Sequence, residues 1–212
     1  KSPAWDNYIA SYRPLVEHAK QRLVPVIASN AAADIVRCIG REGKSYLTKL
    51  SEQETTYIAK RPFIDNEAYR LQYMDFLKKA RDLSDERKEN SYLAQLSRDN
   101  TMAESIFQAW SDNPDAQIIH LNGSFHSDFH LGTVAALKER APNLNIAVIS
   151  PVVVDNMNHP NYTDEDLTRG QYIYLISQQP EQYTDRAARQ KHHKAMFTKA
   201  REKQCRPDPD PS

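Results

Sequence analysis

Gln117-Ile118-Ile119-His120-Leu121 runs into Asn122-Gly123-Ser124-Phe125-His126-Ser127, and this stretch decides the fold class. A short aliphatic run bounded by polar residues predicts a buried strand. Asn122 to Ser127 reads as a loop. Residues 128–140 predict a helix, which Ala141-Pro142-Asn143 ends. Ile146-Ala147-Val148-Ile149 predicts the next strand. Strand, loop, helix and strand in that order form the unit of a parallel sheet. The chain is therefore read as α/β: a mostly parallel sheet flanked by helices.

Upstream, Ile9, Tyr12, Val16, Ala19 and Leu23 recur at helical spacing over residues 5–23. Pro14 falls inside that pattern, so a kink or break is expected, with Pro14 near a new first turn. Val24-Pro25-Val26-Ile27-Ala28 predicts a short buried strand, with Pro25 tolerated only near its start. A helix follows from Ala31 to Ile39, capped by Ser29 or Asn30 and ended by Gly40 and Gly43. Residues 44–84 hold no strand candidate, and Tyr69, Tyr73, Phe76, Leu77 and Ala80 repeat at helical spacing. A strandless stretch inside an α/β chain suggests an inserted helical lid. Ser84 then caps a long helix, residues 85–110.

Downstream, residues 151–170 are polar and turn-rich, Tyr172 to Ile176 predicts a last strand, and residues 184–203 form a charged helix. The expected organisation is an α/β core in 1–43 and 85–204, a helical lid in 44–84 and a disordered tail in 205–212.

The 28 basic and 28 acidic residues among 212 cancel, so no net field draws in nucleic acid, and no nucleic-acid partner is expected. No window approaches the roughly 18 apolar residues of a spanning helix. Cys38 and Cys205 fit no paired spacing and are read as a core thiol and a tail thiol.

The strand ending at Leu121 delivers Asn122, Gly123 and His126 to its carboxyl end, where parallel sheets bind ligands. Gly123 would permit a sharp turn and close ligand approach. His126 suits a metal ligand, a general base or a group facing an anion. His130 lies four residues on and shares a face with it if both are helical. Packed or solvated histidines are the alternative. In the long helix, Asp99 falls within the apolar stripe of Leu96, Met102, Ala103, Ile106 and Trp110. A carboxylate there needs a partner, so Asp99 either ties the helix to the sheet or serves a ligand site. Tyr46, Tyr57, Tyr69, Tyr73 and Tyr92 could ligate or stack on a porphyrin, or simply pack under helices. Lys191-His192-His193-Lys194 reads as a solvated face. No phosphate loop, nucleophile elbow or His-Glu-x-x-His occurs.

Ala94-Gln95-Leu96-Ser97-Arg98-Asp99-Asn100-Thr101-Met102-Ala103 and His120-Leu121-Asn122-Gly123-Ser124-Phe125-His126 together resemble the ChaN-like haem-binding family. That family sits in the Tiki/TraB/erythromycin-esterase superfamily. Trp5 through Lys20 and Val26-Ile27-Ala28-Ser29-Asn30 resemble its opening helix and strand. The resemblance implies a parallel sheet with a helical sub-domain over the pocket and haem as cofactor. It also implies a role in iron or haem uptake in the bacterial cell envelope, with a lipid anchor outside this chain and a homodimer. Asn30, Asp99, Met102, Asn122, Gly123, His126 and His130 are the cofactor-binding candidates. His126 and Arg98 are the catalytic candidates should the chain instead be a metal-dependent hydrolase of the wider superfamily, using a divalent metal. Two departures stand out. Nothing here matches the Gly-Glu-x-His strand that opens the family pattern, so either the chain is a piece of a longer protein or half the site is lost. Asn30-Ala31-Ala32 replaces the usual Asn-x-Pro-Arg.

Overall fold

The computed structural model describes residues 8–80, 83–181 and 183–207. Tyr8–Tyr12 forms one π-helical turn, and α1 follows over Arg13–Gln21 with Pro14 in its first turn. Proline needs no intrahelical partner there, which explains why the helix restarts at this point. Then come α2 (Ala33–Glu42), a 3-10 segment (Gly43–Lys49), α3 (Glu52–Thr55), α4 (Glu67–Ala80) and α5 (Asp85–Asp112). Short 3-10 turns precede α6 (Thr133–Arg140); β1 (Ile149–Val154), α7 (Asp164–Leu167), β2 (Tyr172–Ser177) and α8 (Arg186–Glu202) complete the order.

α5 is the spine. Ser84 caps it, its hydroxyl accepting from the Arg87 amide, and Asp85 and Glu86 complement the helix dipole in the first turn. Its buried residues form a wide arc rather than a narrow stripe, so it packs on several neighbours at once. Leu93 joins Ile35, Cys38 and Ile39 of α2. Tyr92 and Leu96 join Tyr69, Tyr73 and Leu77 of α4. Ala103 joins Ala136 and Leu137 of α6. Residues 44–80 carry helices and turns only, and Tyr46 and Ile58 pack in the first of these clusters.

The α/β class holds: β1 and β2 pair in parallel, from Ile149 with Tyr172 to Val154 with Ser177, and helices flank them. Three strand expectations need correction. Residues 24–28 and 117–121 are irregular, and the strand expected at 146–149 is displaced to Ile149–Val154. Val24, Val26, Ile27, Ile119 and Leu121 are exposed rather than buried. Aliphatic content alone does not make a strand: a strand also needs a neighbour to bond, and neither 24–28 nor 117–121 has one among the described residues.

The expectation of two thiols is also overturned: Cys38 and Cys205 form a disulfide across 167 residues of sequence. It fixes the end of the chain to the buried face of α2. Arg41 supports the junction, donating to the carbonyls of Ala200 and Lys203, each at 2.6 Å. Arg206 pairs with Glu54 at 2.9 Å. The tail expected over 205–212 is thus anchored at Cys205 and Arg206; residues 208–212 lie outside the described residues.

A closed loop of that length restricts the unfolded chain by about 5 kcal/mol. Reduction, or Cys38→Ala, is expected to lower the melting temperature by about 10 °C or more in a circular-dichroism melt, since ~1 kcal/mol moves it ~2–4 °C at this size. An identical melt with and without reductant would count against the cross-link.

Candidate functional site

Asp99 sits in mid-α5 with no solvent exposure. Burying a carboxylate costs several kcal/mol unless its lone pairs are taken up. Three donors take them up. Oδ1 accepts from His126 Nδ1 at 2.7 Å and from the Thr133 hydroxyl at 2.8 Å, and Oδ2 accepts from the Tyr69 hydroxyl at 2.7 Å. Tyr69 in turn accepts from Gln95 Nε2 at 2.9 Å. One carboxylate therefore joins α4, α5, the 123–132 loop and α6.

The loop is shaped to meet it. Phe125 enters an aromatic cluster, with ring centroids 5.9 Å from Tyr69, 5.8 Å from Tyr73 and 5.5 Å from Phe76. His126, one residue on, is thereby turned toward Asp99. Beyond it the backbone enters the left-handed region at Phe129 (φ 59°), His130 (φ 60°) and Gly132 (φ 54°). The first two carry side chains that disfavour this region, so surrounding bonds must hold them. Buried Asp128 accepts from Ser150 Oγ at 2.6 Å and from Arg169 at 3.2 Å, and the Phe129 amide donates to the Arg169 carbonyl at 2.8 Å. Gly132 is required for space as well as dihedral: a Cβ there would lie 2.7 Å from the His126 carbonyl oxygen and 3.1 Å from Asp99 Oδ1.

An ionised carboxylate only accepts, so Asp99 fixes the proton of His126 on Nδ1. Nε2 keeps its lone pair, and the side chain is 19% exposed. This is the arrangement of a metal-bound or general-base histidine, with a carboxylate setting tautomer and orientation.

Arg98 lies beside this centre. Burial lowers its pKa from the ordinary value, and the Asp99 carboxylate opposes the shift. It makes no ion pair among the described residues, and its one hydrogen bond, to Asn30 Oδ1, is long at 3.4 Å. A half-buried guanidinium with spare donors suits a ligand carboxylate.

The other sequence candidates are placed differently. Met102 is buried in α5. Asn122 turns its amide onto the Gly123 carbonyl at 2.8 Å. Gly123 has φ −71°, open to any residue, so the glycine this loop needs is Gly132. His130 does not share a helix face with His126, because two 3-10 turns separate them from α6; its Nε2 meets Gln171 Oε1 at 2.9 Å. Sequence reading singled out Tyr69 only as a porphyrin contact or packing residue, and it gave no site role to Gln95, Thr133 or Asp128, which are ordinary helix and loop residues until the fold brings them together. It also missed His120, whose buried Nε2 has no partner and whose pKa is lowered by burial and by nearby His126.

The tyrosines divide. Tyr69, Tyr73 and Tyr92 are buried, burial raises their pKa values, and Asp99 or Asp65 adds to the rise for Tyr69 and Tyr92. All three pack in one cluster between α4 and α5. Tyr57 is exposed. Among the described residues no group of three or more His, Cys, Asp or Glu side chains could hold a metal ion.

A family model described as haem-binding uptake, Tiki superfamily, ChaN, matches residues 2–137. The chain belongs to the ChaN family. Haem binding is what that family's description states, and the match spans every residue of the Asp99 network. No curated protein and no solved structure matches the chain. The imidazole of His126, held by Asp99, together with the guanidinium of Arg98, fits the two chemistries of the ChaN ligand: an iron that takes a nitrogen donor and propionates that take a cation.

Three outcomes are expected. Asp99→Leu leaves three donors without acceptors and should destabilise the fold by roughly 3–5 kcal/mol in urea unfolding. Gly132→Ala should cost about 1–3 kcal/mol and displace the His126 ring, seen as a changed imidazole NMR shift. The phenols hold their protons more tightly folded than unfolded, so stability is fully present below pH ~10 and falls as pH rises beyond it. Tyr69→Phe should reduce that alkaline loss in a pH-dependent urea titration.

Proposed function

We propose that the chain binds haem through His126 Nε2 on the iron, with Asp99 orienting the imidazole and Arg98, beside Asn30, receiving a propionate. The observation that carries this reading is the 2.7 Å bond from His126 Nδ1 to a wholly buried, fully satisfied Asp99. A carboxylate behind a histidine raises its donor strength and fixes its aim. Residues 44–84 then act as the lid over the pocket. The role is iron or haem uptake in the bacterial cell envelope, and the disulfide supports that placement, since such bonds persist in oxidising compartments.

The same dyad is the geometry of a general base, which is the hydrolase reading. A hemin titration followed in the Soret region separates the two. Saturable binding is expected, weakened at least tenfold by His126→Ala and about 10–100-fold by Asp99→Asn, as for outer-shell partners of metal ligands. Arg98→Gln should weaken binding less and leave the band position unchanged. Wild-type affinity in His126→Ala, with an unaltered circular-dichroism spectrum, would sink the assignment.

A further inference from the structure

The charges of this chain cancel in total but not in place. Residues 186–203 hold seven of its 28 Lys and Arg residues and one of its 28 Asp and Glu residues, which leaves 21 basic and 27 acidic residues elsewhere. Six of those cations, Arg186, Arg189, Lys191, Lys194, Lys199 and Arg201, stand on α8 itself. None of the six forms an ion pair among the described residues, while Lys203, just beyond, meets Asp34 at 3.9 Å. Successive residues turn by about 100° around a helix, so the six point to several sides of it. α8 has no buried residue, and all of it except His192 is exposed.

Such a helix is poorly supported by its own sequence. It gains no tertiary packing, and isolated helices of this length are marginal in water. Arg186 and Arg189, and Lys191 and Lys194, stand three residues apart, where like charges repel across one turn. Asp185 caps the start, its carboxylate accepting from the Ala187 amide at 2.8 Å. Yet the chain fastens this helix covalently. Cys205 lies just past its end in the disulfide to α2, and Arg41 donates to the carbonyls of Ala200 and Lys203. The clasp acts at one end and leaves the basic faces in solvent. A role in the core does not account for the attachment, because α8 adds nothing to the core. Display of its charge does.

We propose that α8 is a contact surface for an anionic phospholipid membrane, lying along the headgroups with its cations against the phosphates. Neutralising those cations removes the repulsion that weakens the helix, so binding and helix formation reinforce each other. Charge selects an anionic partner, and the disulfide selects which one: such bonds persist in oxidising compartments, where membrane surfaces are at hand and nucleic acid is not. The acidic remainder of the chain is repelled by the same surface, so the contact orients the molecule with α8 toward the lipid. α8 lies beyond residue 137, where the ChaN family match ends, so the haem reading does not call for it.

Cosedimentation of the full, oxidised chain with phosphatidylglycerol and phosphatidylcholine vesicles tests this. Binding is expected to rise with the phosphatidylglycerol content, to be absent on pure phosphatidylcholine, and to fall as salt rises from about 0.05 to 0.5 M. A fourfold variant, Arg186→Gln, Arg189→Gln, Lys191→Gln and Lys194→Gln, should bind more weakly by about fivefold per cation removed. Its melting temperature and hemin titration should match wild type, since none of the four is buried or joins the Asp99 network. No vesicle binding, equal binding to phosphatidylcholine, or wild-type vesicle affinity in the variant would overturn the proposal. So would tighter binding to duplex DNA than to the vesicles at the same salt, which would assign α8 to nucleic acid. Vesicle binding is read without hemin, so its outcome and that of the haem reading are separate.

Discussion

A carboxylate buried in the middle of a helix is the constraint on which the rest of this structure turns. Asp99 cannot stay ionised in an apolar interior without donors, and α5 itself offers none, because its own amides are committed to the helix. The donors come from Tyr69 on α4, Thr133 on α6 and His126 in the loop between them. Satisfying one charge thus fixes the relative positions of three helices. Breaking any of these bonds leaves a buried charge less compensated, which is a larger penalty than the bond's net contribution to stability. The network is therefore all-or-none in character, and the position of the His126 ring inherits that rigidity.

The functional consequence lies in the histidine's other nitrogen. A free imidazole exchanges tautomers and rotates; one held by Asp99 at Nδ1 and by Phe125 packing behind it presents Nε2 in one direction. The loop beyond pays for that aim in backbone conformation: Phe129 and His130 lie in the left-handed region, and Asp128, Ser150 and Arg169 keep them there. Support for a ligand site thus extends from the helical layer to the sheet. Membership of the ChaN family, described as haem-binding, and this geometry are the two grounds for the proposal that His126 meets the haem.

The disulfide, which ties Cys205 to α2, acts on a different scale. It works on the unfolded ensemble by closing a long loop, whereas the Asp99 network acts on the native state by local pairing.

Local chemistry made several features legible from sequence. Pro14 placed the start of α1, Ser84 the start of α5, and the periodicity over 85–110 its length, because caps, prolines and helical spacing act within a few residues. The awkwardness of Asp99 in an apolar stripe and the position of His126 after an aliphatic run were visible for the same reason. What tertiary structure decided was pairing. It showed that Asp99 answers to Tyr69, Thr133 and His126, that Cys38 meets Cys205, that the loop's indispensable glycine is Gly132 and not Gly123, and that 117–121 has no ladder partner among the described residues. Each of these joins groups distant in sequence, and the energies that select them exist only once the chain has closed those distances.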